Sequence, residues 1–340
     1  AALLQEAGYE TIGITLQIWP QDEPASEGKK FGGCCGVEAV DAAKSVAYKL
    51  GIPHYVLNFR DIFARMVIED FCREYGRGRT PNPCIRCNQY VKFDALLEKT
   101  RALDAEFLAT GHYARIERSP EGYRLLKGID QAKDQSYFLY TLGQPELEHL
   151  LMPVGGFRKT EVRQRAAALG LPTATRRESQ DICFIPDNDY RSFVAKHVPL
   201  QPGDIVDADG KILGRHKGLA LYTVGQRHGL GLAGGKTMFV LKLDMRNNRL
   251  VVGTEEQLLS DSLIASHLSW VSGKVPVATV DVTAKIRYQS TDAAASLILK
   301  NGMVEVQFRE PQRAVTPGQA VVFYRGEEVL GGGIIEDTDS

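Results

Sequence analysis

Cys84 and Cys87 stand three residues apart in Thr80-Pro81-Asn82-Pro83-Cys84-Ile85-Arg86-Cys87-Asn88, and Cys183 stands far downstream in Ser179-Gln180-Asp181-Ile182-Cys183-Phe184-Ile185. Two thiols at that spacing can share a metal, share a cluster or join each other, and a distant third can complete such a site. Cysteine attacks as thiolate, and Arg79 and Arg86 flanking the pair favour that charged form. These residues suit sulfur or cluster chemistry. A closed zinc site needs a fourth ligand, for which His112 is the candidate. Three cysteines with an open iron, or a catalytic thiol pair, account better for an odd ligand number. An Ile-Cys-Phe-Ile context ordinarily means core packing, but the polar approach Glu178-Ser179-Gln180-Asp181 favours a working role for Cys183. Cys34 and Cys35 are adjacent and cannot easily share one metal, and Cys72 falls on a helix, so these three are read as structural.

Other segments carry chemistry less specifically. Lys133-Asp134-Gln135 precedes Ser136-Tyr137-Phe138-Leu139; a cation, an anion and an amide in a row can bind phosphate and read a base edge, although a solvated turn before an apolar helix looks the same. Gly214-Arg215-His216-Lys217-Gly218 and Gly225-Gln226-Arg227-His228-Gly229-Leu230-Gly231 set basic side chains between glycines, where backbone can approach phosphate closely. Hairpin corners share that composition. Arg287-Tyr288 puts a cation beside an aromatic ring, a pairing suited to an unpaired base.

The chain has 340 residues, 44% hydrophobic and 24% charged, with 41 basic against 42 acidic residues and a net charge of −1. That length supports two or three domains with real cores. The near-neutral balance disfavours a globally basic nucleic-acid binder but leaves room for a local basic face. Six cysteines are too few for a secreted disulfide scaffold. No apolar run is long enough to span a bilayer and no secretory signal opens the chain, so the expected setting is a reducing cytoplasm.

The elements that must position these groups change character along the chain. Residues 11–16 read as a buried strand and 54–59 as the next strand. Residues 38–50 read as a helix with Val40, Ala43, Val46, Ala47 and Leu50 on one face. Asp61 is the expected cap of a helix carrying Phe63, Met66, Val67 and Phe71, and 91–103 is another helix. A strand at 106–110 leads into Gly111-His112-Tyr113, and a helix follows at 160–169 with Thr160 as its expected cap. Repeated βα units imply a parallel sheet with ligands at the carboxyl ends of its strands. Beyond about residue 195, glycines and hairpin signals at Asn247-Asn248 and Asn301-Gly302 predict antiparallel β structure, a small linking module and then a barrel. Ala1 to Gly8 reads as the last turns of a helix, whose preceding strand and phosphate loop would lie upstream.

Taken together, the segments resemble the tRNA-specific 2-thiouridylases (the MnmA/TrmU family) over essentially the whole chain. The resemblance rests on Gly78-Arg79-Thr80-Pro81-Asn82-Pro83 with Cys87-Asn88 and Lys92-Phe93, on Ala109-Thr110-Gly111-His112-Tyr113, and on Lys133 to Leu139. It continues through Ile182-Cys183-Phe184-Ile185, Gly225-Gln226-Arg227 with Gly229-Leu230-Gly231, and Thr316-Pro317-Gly318-Gln319. It implies an α/β fold: a PP-loop ATP-pyrophosphatase domain over 1–195, a central tRNA-binding domain over 196–256 and a C-terminal antiparallel β-barrel over 257–340. It also implies 2-thiolation of the wobble uridine in the tRNAs for Lys, Glu and Gln, with ATP, Mg2+ and a sulfur donor or persulfide-carrier protein. Carried over by residue, Cys87 matches the first catalytic cysteine and Cys183 the one that bears persulfide sulfur. Leu16 and Gly111 match ATP contacts, Asn82, Pro83 and Cys84 the segment around the target base, and Lys133, Asp134, Gln135, Arg287 and Tyr288 tRNA contacts.

Two departures matter. The family's Ser-Gly-Gly-Val-Asp-Ser phosphate loop would precede Ala1, so this polypeptide by itself is expected to bind ATP poorly. Many members carry Asp where this chain has Cys84, and the thiol there opens a second version, in which Cys84, Cys87 and Cys183 hold a 4Fe-4S cluster. A rival of another class is a non-catalytic RNA-binding protein stapled by zinc.

Overall fold

The structure is a computed structural model describing residues 1–18, 37–175, 182–185, 189–232, 237–276 and 279–337. Cys34, Cys35 and the residues 178–181 that lead to Cys183 lie outside them. The chain divides into two compact units, one of Ala1–Ile68, Arg86–Ser136 and Pro145–Tyr190, the other of Glu69–Ile85, Tyr137–Gln144 and Arg191–Ser340.

The first unit is α/β. Its strand Gly13–Gln17 pairs in parallel with His54–Asn58, Leu16 opposite Leu57, and the helix Val37–Leu50 crosses between them and packs on both. Ala39 and Ala47 are buried on its inner side, with Val40, Ala43, Val46 and Leu50 half-buried around them, as the 3.6-residue period requires. A second parallel pair, Leu108–Ala109 with Leu150–Leu151, delivers the chain to Gly111. An antiparallel hairpin follows, Ala114–Ser119 against Gly122–Lys127.

Both helix starts expected from side-chain caps are displaced by a residue or more. The helix at 60–76 begins at Arg60, whose N–H donates to Asn58 Oδ1 at 3.1 Å, and Asp61 sits inside the first turn, where its charge favours the dipole instead. The helix Lys159–Ala168 begins at Arg158, whose N–H donates to Glu161 Oε2 at 2.6 Å. Thr160 is therefore not the cap; the carboxylate three residues on satisfies the orphan donor.

The second unit is largely β. Leu259–Trp270 pairs with both Met303–Arg313 and Glu328–Ile335, and this double pairing closes six antiparallel strands into a barrel. Leu297, Val304, Val306, Val321 and Phe323 fill it with no exposed surface. The turn Asn301-Gly302 has positive φ at both residues (50° and 78°), the geometry that matches strand twist in a two-residue hairpin. A four-stranded sheet carries the linking module in the order Ile212–His216, Gly203–Val206, Arg249–Gly253, Phe239–Asp244. Its middle pair runs parallel rather than antiparallel, because the two strands are joined by a long crossover instead of a hairpin. His216 pins that crossing: its Nδ1 accepts from the Gly218 N–H at 3.1 Å and its Nε2 lies 3.1 Å from the Asn248 carbonyl.

Candidate active site

The segment feeding the first cysteine pair is built for a sharp helix start. Asn82 Oδ1 accepts from the N–H groups of Cys84 (3.1 Å) and Ile85 (3.4 Å), and Pro83 fills the first helical position, where a missing N–H costs nothing. The helix thus begins at Pro83, eight residues before the apolar period that announced it, and Cys84 and Cys87 lie on helix rather than on a knuckle loop. Cys84 is exposed on its first turn; Cys87 is half-buried and opens a π-wound stretch, Cys87–Ala95. Such wide turns are rare and concentrate at functional sites. Asn88, 3% exposed, accepts from Lys92 Nζ at 2.9 Å one turn on.

Arg79 does not supply the expected electrostatic support to the thiols. Its guanidinium is engaged by Glu74 (2.9 Å) and by Glu336, and donates to the Ile335 carbonyl at 3.2 Å. Arg86 lies beside the ring of Tyr90, its guanidinium carbon 5.9 Å from the centroid.

Cys183 is half-buried rather than core. It occupies a turn closed by the Ile185 N–H donating to the Ile182 carbonyl at 3.0 Å. The next two residues, Phe184 and Ile185, are each 4% exposed and anchor it. The Phe184 ring meets Phe63 edge-on, centroids 5.8 Å apart. Phe63 belongs to the 60–76 helix, whose first turns pack against the Cys87–Ala95 stretch. Both cysteines are therefore carried by segments that pack on one helix of the first unit.

At the end of the strand Leu108–Ala109, Thr110 Oγ1 and His112 Nδ1 lie 2.8 Å apart. Burial holds the His112 imidazole well below its ordinary pKa of 6.5, with the charge of Lys92 adding to the effect, so the ring is neutral at physiological pH. Its Nδ1 is engaged by Thr110. The Lys133-Asp134-Gln135 segment is not a solvated turn. Asp134 is buried and accepts from Gly128 N (2.9 Å), Ser136 N (3.1 Å) and Ser136 Oγ (2.9 Å). Gln135 brackets Tyr113 through its own N–H (2.9 Å to the carbonyl) and its side-chain oxygen (3.0 Å from the N–H). Together they fix the backbone of the Gly111-His112-Tyr113 loop. Among the described residues no three His, Cys, Asp or Glu side chains gather as ligands for a metal.

Three family models cover the chain: the tRNA methyl transferase HUP domain over residues 1–187, the tRNA methyl transferase PRC-barrel domain over 191–254 and the aminomethyltransferase beta-barrel domain over 260–335. It is 54% identical to the tRNA-specific 2-thiouridylase MnmA of Heliobacterium modesticaldum, over 98% of this chain and 88% of that one. It is 49% identical to the MnmA of Geobacter metallireducens over 99% and 92% of the two chains, and 50% to that of Acetivibrio thermocellus over 99% and 95%. The chain belongs to the tRNA-specific 2-thiouridylase family.

Within this family member the remaining candidates fall in the second unit. Arg287 donates to the Arg313 carbonyl at 2.8 Å, and the Tyr288 ring lies 4.4 Å from that of Phe138, tilted by 37°. Tyr288 thus already stacks on a neighbour within its own unit. Sequence reasoning passed over the Asn88–Lys92 pair and the Thr110–His112 contact. The signal for the first was present in the i,i+4 spacing of an amide and a cation directly after Cys87.

Proposed function

We propose that this protein catalyses ATP-dependent 2-thiolation of the wobble uridine in tRNAs for Lys, Glu and Gln, with Cys183 carrying the sulfur and Cys87 completing its transfer. The reading is carried by one observation: the Cys183 turn and the π-wound stretch opened by Cys87 pack on the same 60–76 helix.

Oxygen on C2 of uracil is a poor leaving group. Its attack on the α-phosphorus of ATP expels pyrophosphate and leaves an adenylated base. Mg2+ would offset charge on the leaving pyrophosphate. The residues present that suit ATP are Leu16 and the Gly111 loop at the carboxyl ends of parallel strands; Gln135 and Asp134 hold that loop in place. The outer sulfur of a Cys183 persulfide, loaded by a sulfur-carrier protein, then bonds to C2, and AMP leaves with the former oxygen. Cys87 thiolate attacks Cys183 Sγ, forming a disulfide and releasing the thiolated base with the bridging electron pair. Two equivalents of a cellular thiol then reduce that disulfide, the first forming a mixed disulfide and the second displacing it, so that both cysteines are restored and the reductant leaves as its own disulfide. Water must be excluded from the activated base, and the uridine must leave its stack to reach the site, near the helix start set by Asn82, Pro83 and Cys84.

The test is direct. In a version that carries the upstream phosphate loop, Cys87→Ala and Cys183→Ala are each expected to reduce 2-thiouridine formation to background while tRNA binding persists; thiolation retained by either variant sinks the assignment. A colourless, iron-free and active enzyme from anaerobic purification separates persulfide from cluster chemistry. Pyrophosphate release that depends on tRNA excludes a merely zinc-stapled RNA binder.

A further inference from the structure

Arg79 has no part in the chemistry above, yet it enters a built site of its own within the second unit. Of the arginines leading to the cysteine helix, Arg73 and Arg77 keep 52% and 64% of their side chains exposed, and Arg79 only 19%. Its two terminal nitrogens meet both carboxylate oxygens of Glu336, Nη2 at 3.3 Å from Oε1. Its Nε meets Glu74 Oε2 at 2.9 Å, and Nη2 also donates to the Ile335 carbonyl at 3.2 Å. Glu336 accepts from Ser266 Oγ as well.

The residues on either side of Arg79 are fixed too. The Thr80 N–H donates to the Pro317 carbonyl at 2.8 Å, and the Thr80 carbonyl accepts from Gln319 Nε2 at 2.8 Å. Gly318, at φ +89°, permits that approach, since a Cβ there would stand 2.8 Å from Thr80 N and 2.9 Å from Arg79 Cβ. On the other side a Cβ at Gly78, φ +74°, would stand 2.5 Å from Met245 Sδ. Three successive residues are thus clamped within the one unit.

An ion pair largely shielded from water is a weak source of stability, because desolvating both charges offsets their attraction. What a bidentate guanidinium–carboxylate pair supplies is orientation, two bonds that fix one group against the other. The sequence downstream passes that orientation on. In Thr80-Pro81-Asn82-Pro83 both prolines have φ locked by their rings, and Thr80 and Asn82, each directly ahead of a proline, are confined to extended backbone. Pro81 and Pro83 are buried. Asn82 then starts the helix, its Oδ1 accepting from the N–H groups of Cys84 and Ile85. The four residues form a stiff strut from the Arg79 clamp to the helix start, with few soft torsions to absorb a displacement.

We propose that Arg79 is a positioning residue for the thiolation, setting through this strut where Asn82, Pro83 and Cys84 stand against the incoming uridine. The proposal rests on the placement of the target base beside that helix start, given above. Its test uses a chain that carries the upstream phosphate loop, held below its unfolding temperature, with kcat for 2-thiouridine, tRNA affinity and the denaturant midpoint read for each variant. Arg79→Gln and Glu336→Gln are each expected to lower kcat about tenfold to a hundredfold, the scale of a misplacement of about 1 Å, with tRNA affinity unchanged. Arg79→Lys keeps the charge without the fork and is expected to recover only part of the rate. Pro81→Gly loosens the strut while leaving the ion pair in place, and is expected to lower kcat by the same order. The double variant Arg79→Gln with Pro81→Gly is expected to fall no further than either single one, because both act through one link. Lys300→Gln removes an exposed ion pair elsewhere on the barrel and is expected to leave kcat unchanged. A wild-type kcat in Arg79→Gln overturns the role whatever the midpoint does. Losses of kcat that multiply in the double variant overturn it as well, since residues that merely support the fold act independently. A loss of tRNA affinity in place of kcat overturns it in favour of a binding role. Should Arg79→Gln fail to fold, Glu336→Gln, alone and with Pro81→Gly, makes the same comparison. A wild-type chain that forms no 2-thiouridine overturns the functional reading together with this role; an active wild type matched by its variants overturns the role alone.

Discussion

The barrel and the strand end at Thr110 bury different kinds of group. Inside the barrel, Leu297, Val304, Val306, Val321 and Phe323 are wholly enclosed and apolar, and they pack against other apolar residues of the same cluster. In the segments around Thr110 the enclosed groups include polar ones, Asn88, His112, Asp134 and Ser136, beside apolar Phe93, Leu108 and Ala114. Apolar enclosure tolerates repacking and supplies stability, whereas an enclosed polar group is costly unless each partner is in place. The barrel therefore carries structure for its own sake, while the segments around Thr110 hold backbone and polar groups in one set arrangement.

The sharpest way to break that contrast is the pair of variants Cys87→Ala and Cys183→Ala, expected to abolish thiolation while leaving the unfolding midpoint unmoved. Next in size, Phe323→Ala in the barrel should cost about 3–5 kcal/mol of stability by denaturant titration, through poorer packing alone. Asp134→Ala leaves the N–H groups of Gly128 and Ser136 without their acceptor, and should cost about 1–3 kcal/mol for each donor left unsatisfied, with KM for ATP rising as the Gly111 loop loosens.

His112 sharpens the comparison through pH. Its folded pKa lies below the ordinary 6.5, so below about pH 6.5 the unfolded chain takes up a proton that the folded chain refuses. Stability is then lost as pH falls from that value, by about 1.4 kcal/mol per pH unit, until the folded-state pKa is reached. Above pH 6.5 the residue contributes no slope. His112→Asn should flatten this limb in unfolding measurements across pH 4–7; an identical limb in the variant would show that other groups account for it. Smallest of all, Asn82→Ala removes the cap of the cysteine helix and should cost about 1 kcal/mol, read as a lowered denaturant midpoint.

What the residues disclosed followed their physics. Periodicity gave the helix at 37–50 and the hairpin turns at 247–248 and 301–302, because local sterics and one-sided burial dictate both. The helix start at Pro83 was hidden, since Cys84 and Arg86 break any apolar stripe and only the Asn82-Pro83 cap marks it. Asp61 and Thr160 misled, because a cap is decided by which acceptor the chain geometry offers, and Asn58 and Glu161 offered theirs first. Arg79 misled for a different reason: its partner Glu336 lies 257 residues away, beyond any local pattern. A related difficulty hid the role of Asp134, legible as charge but not as the acceptor of a backbone N–H six residues back. Motif spacing identified the thiols, but not the turn that keeps Cys183 out of the core.

The residues just before the cysteine helix are held by a segment more than two hundred residues further on. The Thr80 N–H donates to the Pro317 carbonyl, Gln319 Nε2 donates to the Thr80 carbonyl, and Arg79 pairs with Glu336. A ribosome releases residues 79 and 80 long before it makes 317 to 336, so the nascent chain carries Cys84 and Cys87 on an untethered lead-in until those later residues emerge. The lead-in to the cysteine helix is tied down only once the barrel strands are made.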